Sequence, residues 1–190
     1  MTTIDPGRRK TGRLSADDWM VAALGIMATE GVAGVKILEL CRRLGITKGS
    51  FYWHFADLDA LLDAVAERWR KGHWAMPPGP DDERTPRQML LDAMTAFVDP
   101  RVSGLDRSMR EWARTDERAR TAVAEADRLV FGLIVSFLEQ LGFAAEEADV
   151  RAKLMFYSAI GFSAAGPVGS RRNIRRQMEA TVDLLIARPG

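Results

Sequence analysis

The sequence predicts an all-α protein, and three observations support that prediction. Apolar residues recur at spacings of three and four residues along most of the chain, as on one face of a helix. Glycine, proline and helix-capping residues separate these periodic segments, and no alternating strand pattern of useful length appears between them. Hydrophobic residues make up 47% and charged residues 28% of the 190 residues, a balance typical of a folded globular protein.

Four helices are predicted in the front part of the chain. Ser15 can cap the first helix by accepting from its free N–H groups, and Gly31 ends it. Gly45 ends the second helix, and Thr47 and Asp57 are the predicted caps of the third and fourth. The second, third and fourth helices are predicted over 37–44, 48–55 and 57–72.

Five more helices are predicted after a proline-rich break. Residues 77–80 read Pro-Pro-Gly-Pro, which interrupts a helix and marks a domain boundary. The predicted helices that follow are 86–98, 104–115, 117–141, 145–165 and 171–187. Pro100 and Gly104 are expected to separate the first two of them. The predicted organisation is a first domain over 1–56, a connecting helix over 57–76 and a second domain over 77–190.

Charge is distributed unevenly between the two parts of the chain. The formal net charge is only +1, but residues 1–54 hold eight Lys and Arg against five Asp and Glu. A basic front part suits a protein that binds a polyanion with that part alone. The single cysteine, Cys41, is placed for core packing and has no partner for an internal disulfide. His54 and His73 lack zinc-finger spacing, so no metal and no cofactor are predicted.

The N-terminus combines a basic arm with an apolar segment. Arg8, Arg9, Lys10 and Arg13 precede an apolar run over 19–28, an order that superficially resembles a secretory signal peptide. Two aspartates lie directly before the run, no small-residue cleavage site is clear, and the run is too short to span a bilayer. These departures favour a cytoplasmic protein that has no membrane partner.

The segment 37–55 has the pattern of a helix-turn-helix. Two short helices are joined by a turn that contains Gly45, and a longer helix precedes them. The second helix of such a unit needs a slim, polar side for the major groove of DNA and an apolar side for its own domain. Ile46, Phe51 and Phe55 supply the apolar side. The polar side consists of Thr47, Lys48, Ser50, Tyr52 and His54.

The stretch 40–62 resembles the signature of the TetR family of transcriptional regulators. Residues 47–55, Thr-Lys-Gly-Ser-Phe-Tyr-Trp-His-Phe, are similar to the family pattern Thr/Ser-Lys-Gly-x-apolar-Tyr-x-His-Phe, and an acidic-to-leucine helix start follows. Elsewhere the resemblance extends only to length and helix count. It implies an N-terminal three-helix DNA-binding domain, a C-terminal helical domain for ligand binding and dimerisation, and no enzymatic activity.

The resemblance also implies roles for individual residues. Tyr52 and His54 look like phosphate contacts, and Trp53 occupies a variable position that can touch a thymine methyl or a sugar. The groove-facing set is Thr47, Lys48, Gly49 and Ser50. Leu58 is a departure, because the family often has a phosphate-binding lysine there. Lys36 is a second departure, at a position where the family favours threonine, and it is the expected substitute contact to a phosphate.

A homodimer and a palindromic operator are the partners that the resemblance implies. Two recognition helices related by a twofold axis match two half-sites of double-stranded DNA. The basic arm 8–13 either contacts that DNA or is a disordered, solubilising tail. The predicted dimer seam consists of the last two helices, 145–165 and 171–187. Its aligned residues are Val150, Leu154, Tyr157, Gly161 and Ala164 on the first and Ile174, Met178, Val182 and Leu185 on the second.

The helix 117–141 is apolar on more than one side, which indicates that it is buried at the centre of the second domain. Its predicted neighbours are rich in methionine and aromatic residues, which suit a cavity for an apolar small-molecule effector. The candidate ligand-binding residues are Met94, Phe97, Met109, Trp112, Phe131, Met155 and Phe156. Arg110, Asp127 or Tyr157 are candidates to orient a polar group of the ligand. The alternative is a filled core, because the same residue types are common in cores.

The sequence therefore favours a ligand-responsive regulator, a repressor that an apolar small molecule releases from its operator. An enzyme is one alternative, but the chain lacks the nucleophile-elbow, His-Glu-x-x-His, Cys-x-x-Cys and phosphate-loop motifs. A ligand-independent DNA-binding protein that organises or blocks a chromosome region is the other. The ligand-responsive regulator and the ligand-independent DNA-binding protein differ in whether a small molecule weakens DNA binding.

Overall fold

The computed structural model describes residues 14–71, 83–166 and 173–188, and within these residues all regular structure is helical. The front helices are α1 (Ala16–Glu30), α2 (Ile37–Leu44), α3 (Lys48–Tyr52) and α4 (Leu58–Arg70), with a 3-10 turn at Val32–Gly34. The later helices are α5 (Pro86–Ala96), α6 (Pro100–Trp112), α7 (Glu117–Gln140), α8 (Ala145–Ala165) and α9 (Ile174–Ile186). The predicted all-α class is confirmed. None of the described helices is both long enough and apolar enough to cross a membrane.

Local capping explains where the front helices begin and end. Ser15 takes part in a reciprocal capping box at the start of α1, and Gly31 ends this helix with a φ of 73°. The Asp57 carboxylate accepts a hydrogen bond of 2.8 Å from the Ala60 amide at the start of α4. These caps confirm the predictions. Thr47 precedes α3 as predicted, but its side chain makes no capping hydrogen bond, so that detail was wrong.

Helix α6 begins earlier than its predicted start. Asp99 caps it by accepting a hydrogen bond of 2.8 Å from the Arg101 amide, and Pro100 is its first residue. Gly104 lies inside the helix, so the prediction that it separates two helices was wrong. A Cβ at Gly104 would collide with the backbone carbonyl oxygen of Ala28 on α1. This glycine therefore allows two helices to approach closely and does not end one.

Two hydrophobic cores form along the described part of the chain. The first contains Trp19, Phe51 and Leu61 from the front helices together with Met109 and Trp112 from α6. The second is built from buried residues of α5, α7, α8 and α9. Helix α6 packs against α1, α7 and α8, so it links the front helices to the second core. The first core thus contains residues from both sides of the predicted boundary at 77–80, which itself lies outside the described residues.

Helix α8 presents the exposed apolar face that the sequence predicted. Val150, Leu154 and Tyr157 each expose more than half of their surface, and Gly161 and Ala164 are exposed on the same helix. Large apolar side chains at such exposure are costly on an isolated domain. This face is therefore a candidate contact surface with another molecule.

The apolar stripe of α9 lies inside the protomer, contrary to its predicted place in a dimer seam. Val182 is fully buried, and Met178 and Leu185 pack against the same second core. The prediction for this helix was wrong because α5 and α8 of the same chain cover its stripe. Leu184 is the large apolar residue that α9 does expose. The predicted start of the helix at residue 171 lies outside the described residues.

Candidate nucleic-acid interface and body cavity

The front domain anchors the short helix α3 by its aromatic side. Gly45 ends α2 in the left-handed conformation, with φ 68° and ψ 35°, and leads the chain toward α3. Phe51 is fully buried, and its ring meets that of Trp19 edge-on with the centroids 5.1 Å apart. Phe55 is also buried, and its ring centroid lies 5.7 Å from that of Phe51. The apolar side of α3 therefore packs on its own domain as predicted.

The other side of α3 faces solvent. Tyr52 and Trp53 expose 55% and 65% of their surface, which are large fractions for aromatic residues. The ring of Trp53 meets that of His54 edge-on, with the centroids 5.4 Å apart. Among the remaining predicted contact residues, Ser50 and His54 are half-buried, and the exposed ones are Lys36, Thr47, Lys48 and Gly49. All eight predicted DNA-contacting residues are thus at least partly accessible.

An open groove between α2 and α3 brings several of these residues together. Lys36, Lys48 and Tyr52 line it, with Leu38 and Leu58 beside them. Within the described ranges, neither lysine makes an ion pair. Two uncompensated ammonium groups on one groove create a positive surface that attracts an anion such as a phosphate.

The arginines of α2 have a carboxylate partner. Arg42 donates hydrogen bonds of 2.7 and 2.8 Å to Glu39, and Arg43 donates one of 2.7 Å. These hydrogen bonds hold the pKa of Glu39 at about 2, well below its ordinary value, so this carboxylate is ionised at neutral pH. The cationic character of the groove therefore rests mainly on its lysines.

The sequence analysis did not single out four residues that line the groove: Ile37, Leu38, Glu39 and Arg42. Leu38 exposes 65% of its surface because α2 turns Leu40 and Cys41 inward, which leaves position 38 on the outer side. The helical periodicity of α2 could have identified Leu38 from the sequence, because it places this leucine on the exposed side. An exposed leucine beside a predicted interface is a candidate contact.

A small cavity lies in the second core. Of the predicted ligand-binding residues, Met94, Phe97, Met155 and Phe156 line it. Phe131 is not among the residues that line it, contrary to the prediction, and its ring meets that of Phe156 edge-on with the centroids 6.1 Å apart. The cavity volume is about 30 Å³, which accommodates little more than one or two water molecules. The cavity at the predicted place is therefore much smaller than a ligand of ordinary size.

Met109 and Trp112 lie in a different place from the one predicted. Both are buried in the first core, where their side chains pack with those of the front helices. The Arg118 guanidinium lies over Trp112, with its central carbon 5.7 Å from the ring centroid. The prediction that these two residues line the ligand cavity was wrong, because the apolar side of α6 faces α1.

A partly buried ionic cluster adjoins the cavity. Arg110 on α6 donates hydrogen bonds of 2.8 and 2.9 Å to Asp127 on α7, and both residues line the cavity. Its Nε donates to Asp106 at 3.1 Å, and the Ser163 hydroxyl donates to Asp106 at 2.6 Å. Burial alone would lower the pKa of Arg110, but Asp127 and Asp106 outweigh this effect and raise it. The third predicted polar candidate, Tyr157, is exposed on the outer face of α8.

The described residues were also searched for metal sites. Within them, no group of three or more His, Cys, Asp or Glu residues has an arrangement that could hold a metal ion. Cys41 is a free thiol buried in the first core, where it packs as a small apolar side chain.

Comparison with known proteins relates the front domain to a family of regulators. Residues 20–65 match the family model for bacterial regulatory proteins of the tetR family. The class A tetracycline repressor protein from transposon 1721 of Escherichia coli is 29% identical over 141 residues, which cover 74% of this chain and 61% of the repressor. The class D tetracycline repressor protein of Escherichia coli is 37% identical over 54 residues, covering 28% of this chain and 25% of the repressor. The chain thus spans about three fifths of the class A relative it matches.

Solved structures share the fold over nearly the whole chain. A transcriptional regulator from Rhodococcus sp. superposes with a TM-score of 0.71 at 17% identity, covering 91% of this chain and 94% of that one. The reduced form of NemR from Escherichia coli superposes with a TM-score of 0.68 at 19% identity, covering 92% of this chain and 98% of that one. Residues 20–65 thus match the tetR family of bacterial regulatory proteins, and the chain as a whole shares its fold with the solved structures of such regulators.

Proposed function

We propose that the protein is a dimeric transcriptional repressor that binds a palindromic operator and releases it when an apolar small molecule binds its second domain. The observation that carries the DNA-binding part is the arrangement of α3, in which Phe51 is buried while Lys48 and Tyr52 are exposed. The tetracycline repressors similar to this chain are named as repressors, which supports repression as the mode of regulation.

The exposed groups on and beside α2 and α3 differ in the part of DNA that each suits. The ammonium groups of Lys36 and Lys48 and the hydroxyl of Tyr52 suit phosphate oxygens, which fix position on DNA without reading sequence. The short hydroxyl of Thr47, just before α3, suits base edges in the major groove. The indole of Trp53 suits apolar contact with a thymine methyl or a sugar.

Dimerisation follows from the exposed apolar face of α8. Leu154 and Tyr157 expose 54% and 65% of their surface, and Leu184 on α9 exposes 75%. A twofold contact buries the same patch on both copies and leaves no open edge for further growth. Two α3 helices in such a dimer would meet half-sites about one or more helical turns apart.

Release of DNA requires a connection between the cavity and α3. Helix α6 supplies one, because Arg110 lines the cavity while Gly104 lies against α1. Helix α4 supplies another, because Arg118 of α7 donates hydrogen bonds of 3.2 and 2.9 Å to Asp59 and Asp63. A ligand that favours a different position of α6 or α7 would change which orientations of the front domain are most populated. Coupling is reciprocal, so operator DNA lowers ligand affinity by the same factor.

The DNA-binding proposal is tested by selecting DNA fragments with the purified protein in vitro and measuring affinity for the best fragment by fluorescence anisotropy. Affinity should fall steeply with salt, because each phosphate contact releases counterions. Replacing Lys36 and Lys48 together by alanine should reduce the salt slope by about two, one for each lost phosphate contact. Arg87→Ala, which removes an exposed charge on α5, is the matched control and should leave the slope unchanged.

The sequence-independent and sequence-reading contacts are separated by a second set of variants. His54→Ala and Tyr52→Phe should weaken binding to all fragments, whereas Ser50→Ala should change which bases are preferred. Binding that is indifferent to salt, or a salt slope that the loss of both lysines leaves unchanged, would overturn the assignment of this surface.

The second candidate function is ligand-independent DNA binding, and the small cavity favours it. About 30 Å³ of enclosed space does not accommodate an effector of ordinary size without movement of the walls. Gel-shift titration with a compound library separates the two candidates. Release of the selected DNA by any compound that also raises the melting temperature supports the repressor, and its absence across the library supports the alternative.

A further inference from the structure

Two spaces in the second domain share one wall. The enclosed cavity lies among α5, α7 and α8, and an open cleft of about 200 Å³ lies between α6 and α8. Arg110 and Ile160 line both spaces. These two side chains therefore separate an apolar interior from a cleft that opens to solvent.

The cleft is rich in arginine. Arg107 and Arg110 line it from successive turns of α6, and Arg114 lines it from the turn just after that helix. Asp106 and Glu111 are the acidic residues beside them. Arg107 is exposed and makes no ion pair with any residue that the structure describes. Arg114 and Glu111 approach only to 3.8 Å with both side chains mostly exposed, which makes a weak pair.

Arg110 retains hydrogen-bonding capacity despite its two carboxylate partners. A guanidinium has five N–H donors, and the bonds to Asp127 and Asp106 use one donor on each of its three nitrogens. Two donors remain on a residue that already lines the cleft. Arg107 and Arg110 together thus offer a planar, charged donor set of the kind that carboxylates match.

We propose that the effector is an amphipathic carboxylate, with an apolar chain that enters the cavity past Ile160 and a carboxylate that binds Arg107 and Arg110 in the cleft. This inference rests on the proposed ligand-responsive function and names its ligand class. Met94 and Met155 line the cavity, and their flexible side chains allow the walls to part around an apolar chain. A cationic head group would instead lie beside the guanidinium of Arg107, which makes no ion pair with any described residue.

The test compares ligands that share an unbranched ten-carbon chain, counted with the carboxyl carbon of the acid, and differ in the head group. Decanoate, decanol and decyltrimethylammonium are titrated by calorimetry below their micelle-forming concentrations, with octanoate as a shorter carboxylate. Decanoate should bind tighter than decanol and tighter than the cation. Decanoate should also bind about tenfold tighter than octanoate, because two more methylenes are buried in the cavity.

Variants locate the two ends of the ligand. Arg107→Gln should weaken decanoate binding about tenfold through the loss of a charge-assisted hydrogen bond and leave decanol unaffected. Arg101→Gln, an exposed arginine on the same helix that lines neither space, is the matched control and should change nothing. Ile160→Trp should remove the difference between octanoate and decanoate, because the indole blocks the passage between cleft and cavity.

The outcomes that overturn the inference differ from those that overturn the proposed function. Three results would each refute the carboxylate assignment. They are binding of decanol or of the cation that equals or exceeds that of decanoate, no binding of either carboxylate, and normal decanoate binding by the Arg107→Gln variant. Operator binding is measured on the same preparations. A protein that binds operator but no carboxylate retains its proposed DNA-binding role, whereas a protein that binds carboxylate but no DNA loses it.

Discussion

The contact between α1 and α6 depends on the absence of a side chain at Gly104. A Cβ there would lie well inside van der Waals contact with the carbonyl oxygen of Ala28 and 3.3 Å from its carbonyl carbon, and neither backbone atom can rotate away. Overpacking of this kind costs up to about 3 kcal/mol. Alanine regains about 1 kcal/mol of helix propensity over glycine, so Gly104→Ala should lower the free energy of unfolding by about 2 kcal/mol.

A net loss of about 2 kcal/mol corresponds to a fall of about 4–8 °C in melting temperature for a chain of this length. The assay is thermal unfolding followed by circular dichroism, with operator affinity measured on the same variant. Gly132→Ala on α7 is the matched control, because a Cβ there meets nothing within 4 Å. It should stabilise the protein by about 0.5–1 kcal/mol. A Gly104→Ala protein that melts at or above the native temperature would refute the close packing of these helices.

Three further predictions concern the dimer face, the acid limit and the first core. Leu154→Glu combined with Tyr157→Glu should yield monomers in sedimentation, because the pair places charge on the exposed face of α8; a native protein that is already monomeric at micromolar concentration contradicts the proposed dimer. Hydrogen bonds from Arg118 lower the pKa of Asp116 to about 2, so the carboxylate stabilises the fold above about pH 4 and this contribution disappears as the pH falls toward 2. Asp116→Asn should make the free energy of unfolding depend less on pH over that window, as measured by acid titrations monitored by circular dichroism. An unchanged pH dependence counts against the ion pair. Trp112→Ala should cost about 3–5 kcal/mol in chemical denaturation, as for other buried aromatics, and a loss below 1 kcal/mol would show that Trp112 is not in the core.

The sequence predicted helices well where local signals determine them. Helix α2 has the predicted limits because Gly45 can adopt the left-handed conformation at its end, and α8 matches its predicted range of 145–165. The exposed side of α3 was predicted for the same reason, since a short amphipathic helix with Phe51 inward leaves Lys48 and Tyr52 outward. Such features depend on residues a few positions apart.

The errors concern which partner covers a given face. Gly104 looks like a helix breaker in the sequence, and only the approach of Ala28 from α1 reveals its packing role. The apolar stripe through Val182 correctly indicated burial, but periodicity does not distinguish burial within one chain from burial between two chains. The same ambiguity placed Met109 and Trp112 in the ligand cavity when the front helices cover them.

The ionic cluster of Arg110, Asp106 and Asp127 is better explained by function than by stability. Asp106 is buried while Arg110 and Asp127 each keep 25% of their side-chain surface exposed, so the cluster is partly desolvated. Apolar residues of similar volume often stabilise a fold as well as or better than such a cluster. The cluster nevertheless lies at the boundary between the cavity and the open cleft, where Arg110 lines both spaces. Under the proposed function, Arg110 offsets the cost of this partial desolvation by binding the head group of a ligand at the boundary between the cavity and the cleft.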